Sequence, residues 1–89
     1  MRFVVVVSSG QNTRNIERFC QEFKIEVTLE VLGSPGAVKA IRDAQGHFDG
    51  RGKGTPMVVG YVGESAVWAA SDPTSRQLAH ALNILRMNR

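Results

Sequence analysis

The chain has 89 residues, enough for one domain with a modest hydrophobic core and too few for two. Hydrophobic residues make up 43% of the sequence and charged residues 21%, a balance that is typical of globular proteins and disfavours disorder. The formal net charge of +3 is mildly basic and lacks the dense Lys and Arg clusters of nucleic-acid-binding domains. A single cysteine, Cys20, excludes an intramolecular disulfide and a cysteine-rich metal site.

The apolar segments are all short. None approaches the roughly 18 residues of a membrane span. The run at residues 3–7 is too short for the core of a signal peptide, and no small-residue cleavage pattern follows it. We therefore expect a single cytoplasmic domain, residues 1–89, that does not enter a membrane.

Two runs without polar alternation predict strands that are covered on both faces. The first is residues 3–7, and the second is residues 57–59, which follow Pro56. Proline has no N–H to donate to a sheet, so Pro56 marks the first position of its strand. The residue before a proline is pushed to extended geometry, and we expect Thr55 to hold its carbonyl and hydroxyl groups out at the end of the sheet.

Two further strands are predicted at the margins of the sheet. Residues 25–31 alternate between apolar and polar side chains, which indicates a strand with one wetter face and suits a sheet edge. The strand after Pro56 is expected to turn near Gly63 and return through residues 66–70 as a hairpin.

Apolar residues at helical spacing predict three helices between these strands. The three stripes are Ile16, Phe19, Cys20 and Phe23, then Ala37, Ala40, Ile41 and Ala44, then Leu78, Ala81, Leu82 and Leu85. The candidate starts are Asn12 or Thr13 for the first helix, Ser34-Pro35 for the second and Asp72-Pro73 for the last. Gly46 is the expected stop of the second helix.

Residues 47–54 are rich in glycine and charge and predict a flexible surface loop. The loop superficially suggests a phosphate loop, but Lys53 is followed by glycine and the segment leads into a strand, where a phosphate loop leads into a helix. His47 and His80 have no carboxylate or cysteine at metal-ligand spacing, so we expect surface histidines and no metal.

The predicted order is β-α-β-α-β-β-α, a mixed four-stranded sheet flanked by three helices. The first two strands should be parallel, because a helical crossover joins them, and the closing hairpin should be antiparallel. The two apolar strands belong in the middle.

This order, with residues 53–59 (KGTPMVV) and residues 68–72 (WAASD), resembles the thioredoxin fold of the glutaredoxins and the glutaredoxin-like electron donors of ribonucleotide reductase. The resemblance covers almost the whole chain. It implies that the Thr55–Pro56 bond is cis. It also implies that substrates dock at the start of the first helix, beside the proline, and at the start of the last helix.

The chain departs from that family at the active site. Members carry Cys-x-x-Cys between the first strand and the first helix, whereas Gln11 and Arg14 occupy those positions here. Without a thiolate neither dithiol nor monothiol exchange is available, so we expect a protein that is not an enzyme and needs no cofactor. Cys20 lies on the apolar face of its helix and is predicted to be an inert core residue.

Three functions remain open at this point. The first is a binding or regulatory module that holds an unidentified protein through the former active-site face, where an extended peptide would pair with the backbone beside Pro56. The second, implied by the resemblance, is weak binding of a glutathione-type molecule, with Lys53 or Arg51 on a carboxylate and Asp72 on the amino group. The third, nucleic-acid contact, is disfavoured because few aromatic residues are suited to stacking. The candidate binding residues are Gln11, Asn12, Arg14, Lys53, Thr55, Pro56, Ser71 and Asp72.

Overall fold

Seven elements follow one another in the computed structural model, which describes all 89 residues. They are β1 (Arg2–Val7), α1 (Arg14–Glu22), β2 (Glu26–Val31), α2 (Pro35–Asp43), β3 (Met57–Val62), β4 (Ser65–Ser71) and α3 (Ser75–Met87). The predicted order is confirmed. The protein is therefore an α/β domain with one four-stranded sheet and three helices.

The sheet is mixed, and its strand order is β2-β1-β3-β4. β1 pairs in parallel with β2 and antiparallel with β3, while β3 and β4 form an antiparallel hairpin. The two strands predicted to be interior are the two in the middle, and the alternating strand is at an edge. β4 lies at the other edge although Trp68 and Ala69 are buried on its two faces, so an apolar run shows that both faces are covered and does not by itself place a strand in the middle.

Each face of the sheet carries its own hydrophobic cluster. On one face α1 and α3 cover side chains that include Phe3, Val5 and Trp68. On the other face α2 covers a smaller cluster that includes Val6 and Tyr61. Alternate residues of β1 enter the two clusters, so this strand belongs to both halves of the core.

The two outer edges of the sheet differ. The outer edge of β4 is covered where Phe48 bridges Ala69, with Asp49 N–H donating to Ala69 O at 2.7 Å. The prediction of a flexible loop over residues 47–54 is therefore wrong for its first part, which is hydrogen-bonded to the sheet. The outer edge of β2 is open, and Leu29 on that strand is 48% exposed.

The predicted starts of the three helices agree with the structure to different degrees. Ser34 caps α2 as predicted, its side chain accepting from Ala37 N–H. Thr13 occupies the N-cap position of α1, but its side chain makes no capping hydrogen bond. Asn12 Oδ1 instead accepts from Arg14 N–H at 2.9 Å. The prediction that Asp72-Pro73 starts the last helix is wrong.

Thr74 caps α3 instead. Its hydroxyl accepts from Gln77 N–H at 3.2 Å, and the Gln77 side chain accepts from Thr74 N–H at 2.9 Å. This reciprocal pair is a capping box, and it leaves no role for Asp72 in the helix start.

The other predicted boundaries agree with the structure within a few residues. Gly46 adopts the left-handed conformation, φ +85°, just beyond the end of α2. None of the helices combines the length and apolar character needed to cross a membrane.

Candidate binding site beside Pro56

The site begins at the turn that follows β1. Gln11 folds back on Ser8, since Gln11 N–H donates to Ser8 O and Ser8 N–H donates to Gln11 Oε1, both at 3.0 Å. Gly10 has a φ of +75° in this turn, a conformation that side-chain-bearing residues rarely adopt. The Gln11 side chain is thus held at the carboxyl end of β1.

A second hydrogen bond joins this turn to the start of β3. The hydroxyls of Ser8 and Thr55 lie 2.9 Å apart. The hydroxyl of Thr55 is therefore partnered within the chain, contrary to the expectation that it would be open to a ligand. The backbone N–H and C=O of Thr55 make no hydrogen bond within the chain, and these groups do remain open.

Pro56 forms the buried floor of the site, and the Thr55–Pro56 bond is cis, as the resemblance implied. The Pro56 carbonyl accepts from Asp72 N–H at 2.6 Å. Asp72 is exposed and has a φ of +43°, in the left-handed region that few residues other than glycine, asparagine and aspartate adopt. Its carboxylate makes no hydrogen bond or ion pair within the chain. The carboxylate is thus held beside the proline and is free to meet a ligand.

Three of the candidate residues share a small polar cavity of about 150 Å³. Asn12, Pro56 and Asp72 line it, together with residues that were not among the candidate binding residues: Thr13, Asn15, Ile16 and Pro73. We call the Pro56 site the set Ser8, Gln11, Asn12, Thr55, Pro56 and Asp72, which these hydrogen bonds and this cavity connect.

The other candidates lie outside that set. Lys53 lines a different cavity, on the α2 face. Arg14 is exposed at the first turn of α1 and makes no ion pair. Ser71 is half-buried, and its Oγ is buried without a hydrogen-bond partner.

The site contains no thiol. Cys20 is 1% exposed in the cluster on the α1 and α3 face, where burial and, secondarily, the charge of Glu17 raise the pKa of its thiol to about 11. It is a core residue, as predicted, and is protonated at neutral pH. Elsewhere, no three His, Cys, Asp or Glu side chains lie together in a way that would hold a metal ion.

Ser8 is the residue of this site that sequence reasoning missed. A usable signal was present, because polar residues directly after a buried strand lie at the end of the sheet, where ligands commonly bind. Its hydrogen bond to Thr55 crosses 47 positions of the chain and could not be read from either segment alone.

Comparisons of the chain with protein-family models, with curated proteins and with solved structures find no match.

Proposed function

We propose that this chain is a thioredoxin-like domain of the glutaredoxin type that has no redox activity, acts in the cytoplasm, and binds a protein partner through the Pro56 site. The proposal rests on one observation: backbone groups without hydrogen-bond partners lie beside a carboxylate without a partner. The N–H and C=O of Thr55 are without partners, and the Asp72 carboxylate is free next to them. An extended peptide would hydrogen-bond to Thr55, as in other complexes in which a strand is added, and present a donor to Asp72.

The backbone of Asp72 supports this assignment. Aspartate is among the non-glycine residues that tolerate the left-handed region best, and it stays there where surrounding structure holds it. Here the hydrogen bond from Asp72 N–H to Pro56 O holds it. The alternative explanation for an aspartate before proline, a helix cap, is removed because Thr74 caps α3.

A glutathione-type small molecule is the second candidate. It is favoured by the same free carboxylate, which would pair with an amino group, but the cavity volume of about 150 Å³ is below the usual range of small-molecule sites. It is disfavoured by Lys53, which the resemblance places on the ligand's carboxylate but which lines the other cavity. We expect this binding to be weak because no thiol anchors the ligand.

The test uses two charge-swapped variants with the same net charge as the natural chain. The first, Arg14→Glu with Asp72→Lys, changes Asp72 of the Pro56 site and Arg14 of α1, which lies in the chain between the cavity-lining Thr13 and Asn15. Lys24 at φ +57° shows that lysine is accepted in the conformation of Asp72. The control, Arg18→Glu with Glu22→Lys, swaps two exposed charges on α1 away from the site. Each protein is immobilised and exposed to nuclease-treated lysate, and retained proteins are quantified by mass spectrometry.

We expect a partner that the natural chain and the control retain and that the first variant loses. That partner should shift the amide resonances of Thr55 and Asp72 in the free domain. Equal retention by all three proteins, or shifts confined to other surfaces, would overturn the proposal. Millimolar glutathione that shifts the same amides would favour the second candidate.

A further inference from the structure

The larger cavity of the molecule lies on the α2 face and has a volume of about 610 Å³, within the range of small-molecule sites. Its floor is apolar and consists of Ile41, Phe48 and Met57, while Arg51 and Lys53 stand on its rim. We call it the α2-side cavity. It shares no lining residue with the polar cavity beside Pro56.

The loop that forms its rim is fixed at both ends. At the start, Asp49 N–H donates to Ala69 O at 2.7 Å, and Asp49 O accepts from the Gln77 side chain at 3.2 Å. At the end, the Thr55 hydroxyl contacts that of Ser8. Between these anchors the backbone N–H groups of residues 50–54 donate to no group in the chain. These amides are therefore available to a ligand.

The charges around the cavity have one sign. Arg51 and Lys53 are exposed and form no ion pair, since the single salt bridge of the chain joins Lys39 to Asp43. No aspartate or glutamate lines the cavity. A carboxylate, sulfonate or phosphate at the rim would therefore meet two uncompensated cations together with the free amides.

One feature opposes an anion, namely the carboxyl end of α2, where the helix dipole is negative. Its last carbonyls are largely satisfied, because Ala40 O accepts from Ala44 N–H, Ile41 O from the Gln45 side chain, and Arg42 O from Gln45 N–H. With these groups paired, the cations of the rim dominate the local field.

We propose that the α2-side cavity binds a small amphipathic anion, with its aromatic or aliphatic body on Ile41, Phe48 and Met57 and its anionic group on Arg51, Lys53 and the loop amides. This inference does not depend on the function proposed for the Pro56 site, because the two cavities are separate. An apolar floor with a few convergent polar groups is the common form of a ligand site.

The test compares two probes of similar shape and different charge. One is 8-anilinonaphthalene-1-sulfonate, an aromatic sulfonate, and the other is the uncharged N-phenyl-1-naphthylamine. Binding is measured by titration, using probe fluorescence and the methyl resonances of Ile41 and Met57. We expect the sulfonate to bind the natural chain more tightly than the uncharged probe and to shift both methyl groups.

Two variants that each remove two positive charges distinguish binding in the cavity from a general effect of the protein's net charge. Arg51→Ser with Lys53→Ser should weaken sulfonate binding about tenfold or more, as expected for the loss of charged hydrogen bonds, and leave the uncharged probe unaffected. Arg86→Ser with Arg89→Ser, at the end of the chain, should leave both affinities unchanged.

Filling the cavity should abolish binding of both probes. Gln45 is exposed and lines the cavity, so Gln45→Trp places a large side chain there without opening the core. Its control is Gln45→Ala, which loses the same hydrogen bond to Ile41 O without filling the cavity and should retain both probes. The proposal is overturned if the sulfonate fails to shift the Ile41 and Met57 methyls or if Gln45→Trp leaves the sulfonate affinity intact. It is also overturned if the two double serine variants lower the sulfonate affinity equally.

Discussion

At the scale of single residues, Cys20 shows how position decides the chemistry of a side chain. Its thiol lies in the core, and burial followed by the charge of Glu17 raises its pKa from an ordinary value of 9.0 to about 11. The unfolded chain ionises this thiol near the ordinary value, whereas the folded chain does so only near 11. Ionisation of Cys20 therefore favours unfolding as the pH rises above 9, and at neutral pH the folded thiol is unreactive.

We predict that iodoacetamide alkylates Cys20 in the folded protein at pH 8 at least about 100-fold more slowly than in urea, because a pKa higher by two units leaves about 100-fold less thiolate. The alkylation rate of the folded protein should keep rising with pH up to about 11. Mass spectrometry of timed samples measures both rates. Gln11→Cys provides a second thiol in the turn after β1, which should be labelled quickly in the same protein. Fast labelling of the natural chain would contradict the core assignment.

At the scale of elements, strands were easier to predict than helix starts. The apolar runs of β1 and β3 identify strands that are buried on both faces, because such burial leaves no room for polar alternation. Asp72 was misassigned because aspartate before proline is a common cap, while the Thr74-x-x-Gln77 box directly after it is the stronger signal. Asp72 is held instead by the hydrogen bond from its N–H to the carbonyl of Pro56. This contact joins distant segments of the chain, so no local sequence pattern predicts it.

The same reasoning explains which parts of the candidate site were predictable. Asn12, Pro56 and Asp72 line one cavity because each stands at an element boundary, and element boundaries at one end of a sheet meet in space, so the sequence could predict that they lie together. Lys53 was misplaced because a glycine-rich loop carries no periodicity, so its direction is set by the contacts of Asp49 with β4 and α3.

The start of α3 at Thr74 predicts that substitutions at Thr74 and at Asp72 have different effects on stability. Thr74→Ala removes the hydroxyl that caps Gln77 N–H and should lower the free energy of unfolding by about 1 kcal/mol. Asp72→Asn keeps a residue that tolerates the left-handed conformation and removes no hydrogen bond, so it should leave stability within about 0.5 kcal/mol of the natural chain. Urea denaturation followed by circular dichroism measures both. If Thr74→Ala left the free energy of unfolding unchanged, the assignment of Thr74 as the cap of α3 would be wrong.

At the scale of the whole molecule, one sheet supports two clusters that do not touch each other across it. Val58 enters the cluster on the α1 and α3 face, and its neighbour Val59 enters the cluster on the α2 face. The single tryptophan, Trp68, reports on the first cluster, and the single tyrosine, Tyr61, reports on the second. Adjacent residues of β3 pack into the two clusters. Unfolding of either cluster should therefore disrupt β3 and destabilise the other cluster.

We therefore predict that the two faces unfold in one transition. A chain labelled with 5-fluorotryptophan and 3-fluorotyrosine gives two fluorine resonances, and their urea midpoints should coincide. Val58→Ala and Val59→Ala each remove a fully buried side chain and should each cost about 2 kcal/mol. Each variant should move both resonances by the same amount, whichever face it alters. If Val58→Ala shifted only the Trp68 midpoint and Val59→Ala only that of Tyr61, the two faces would unfold independently.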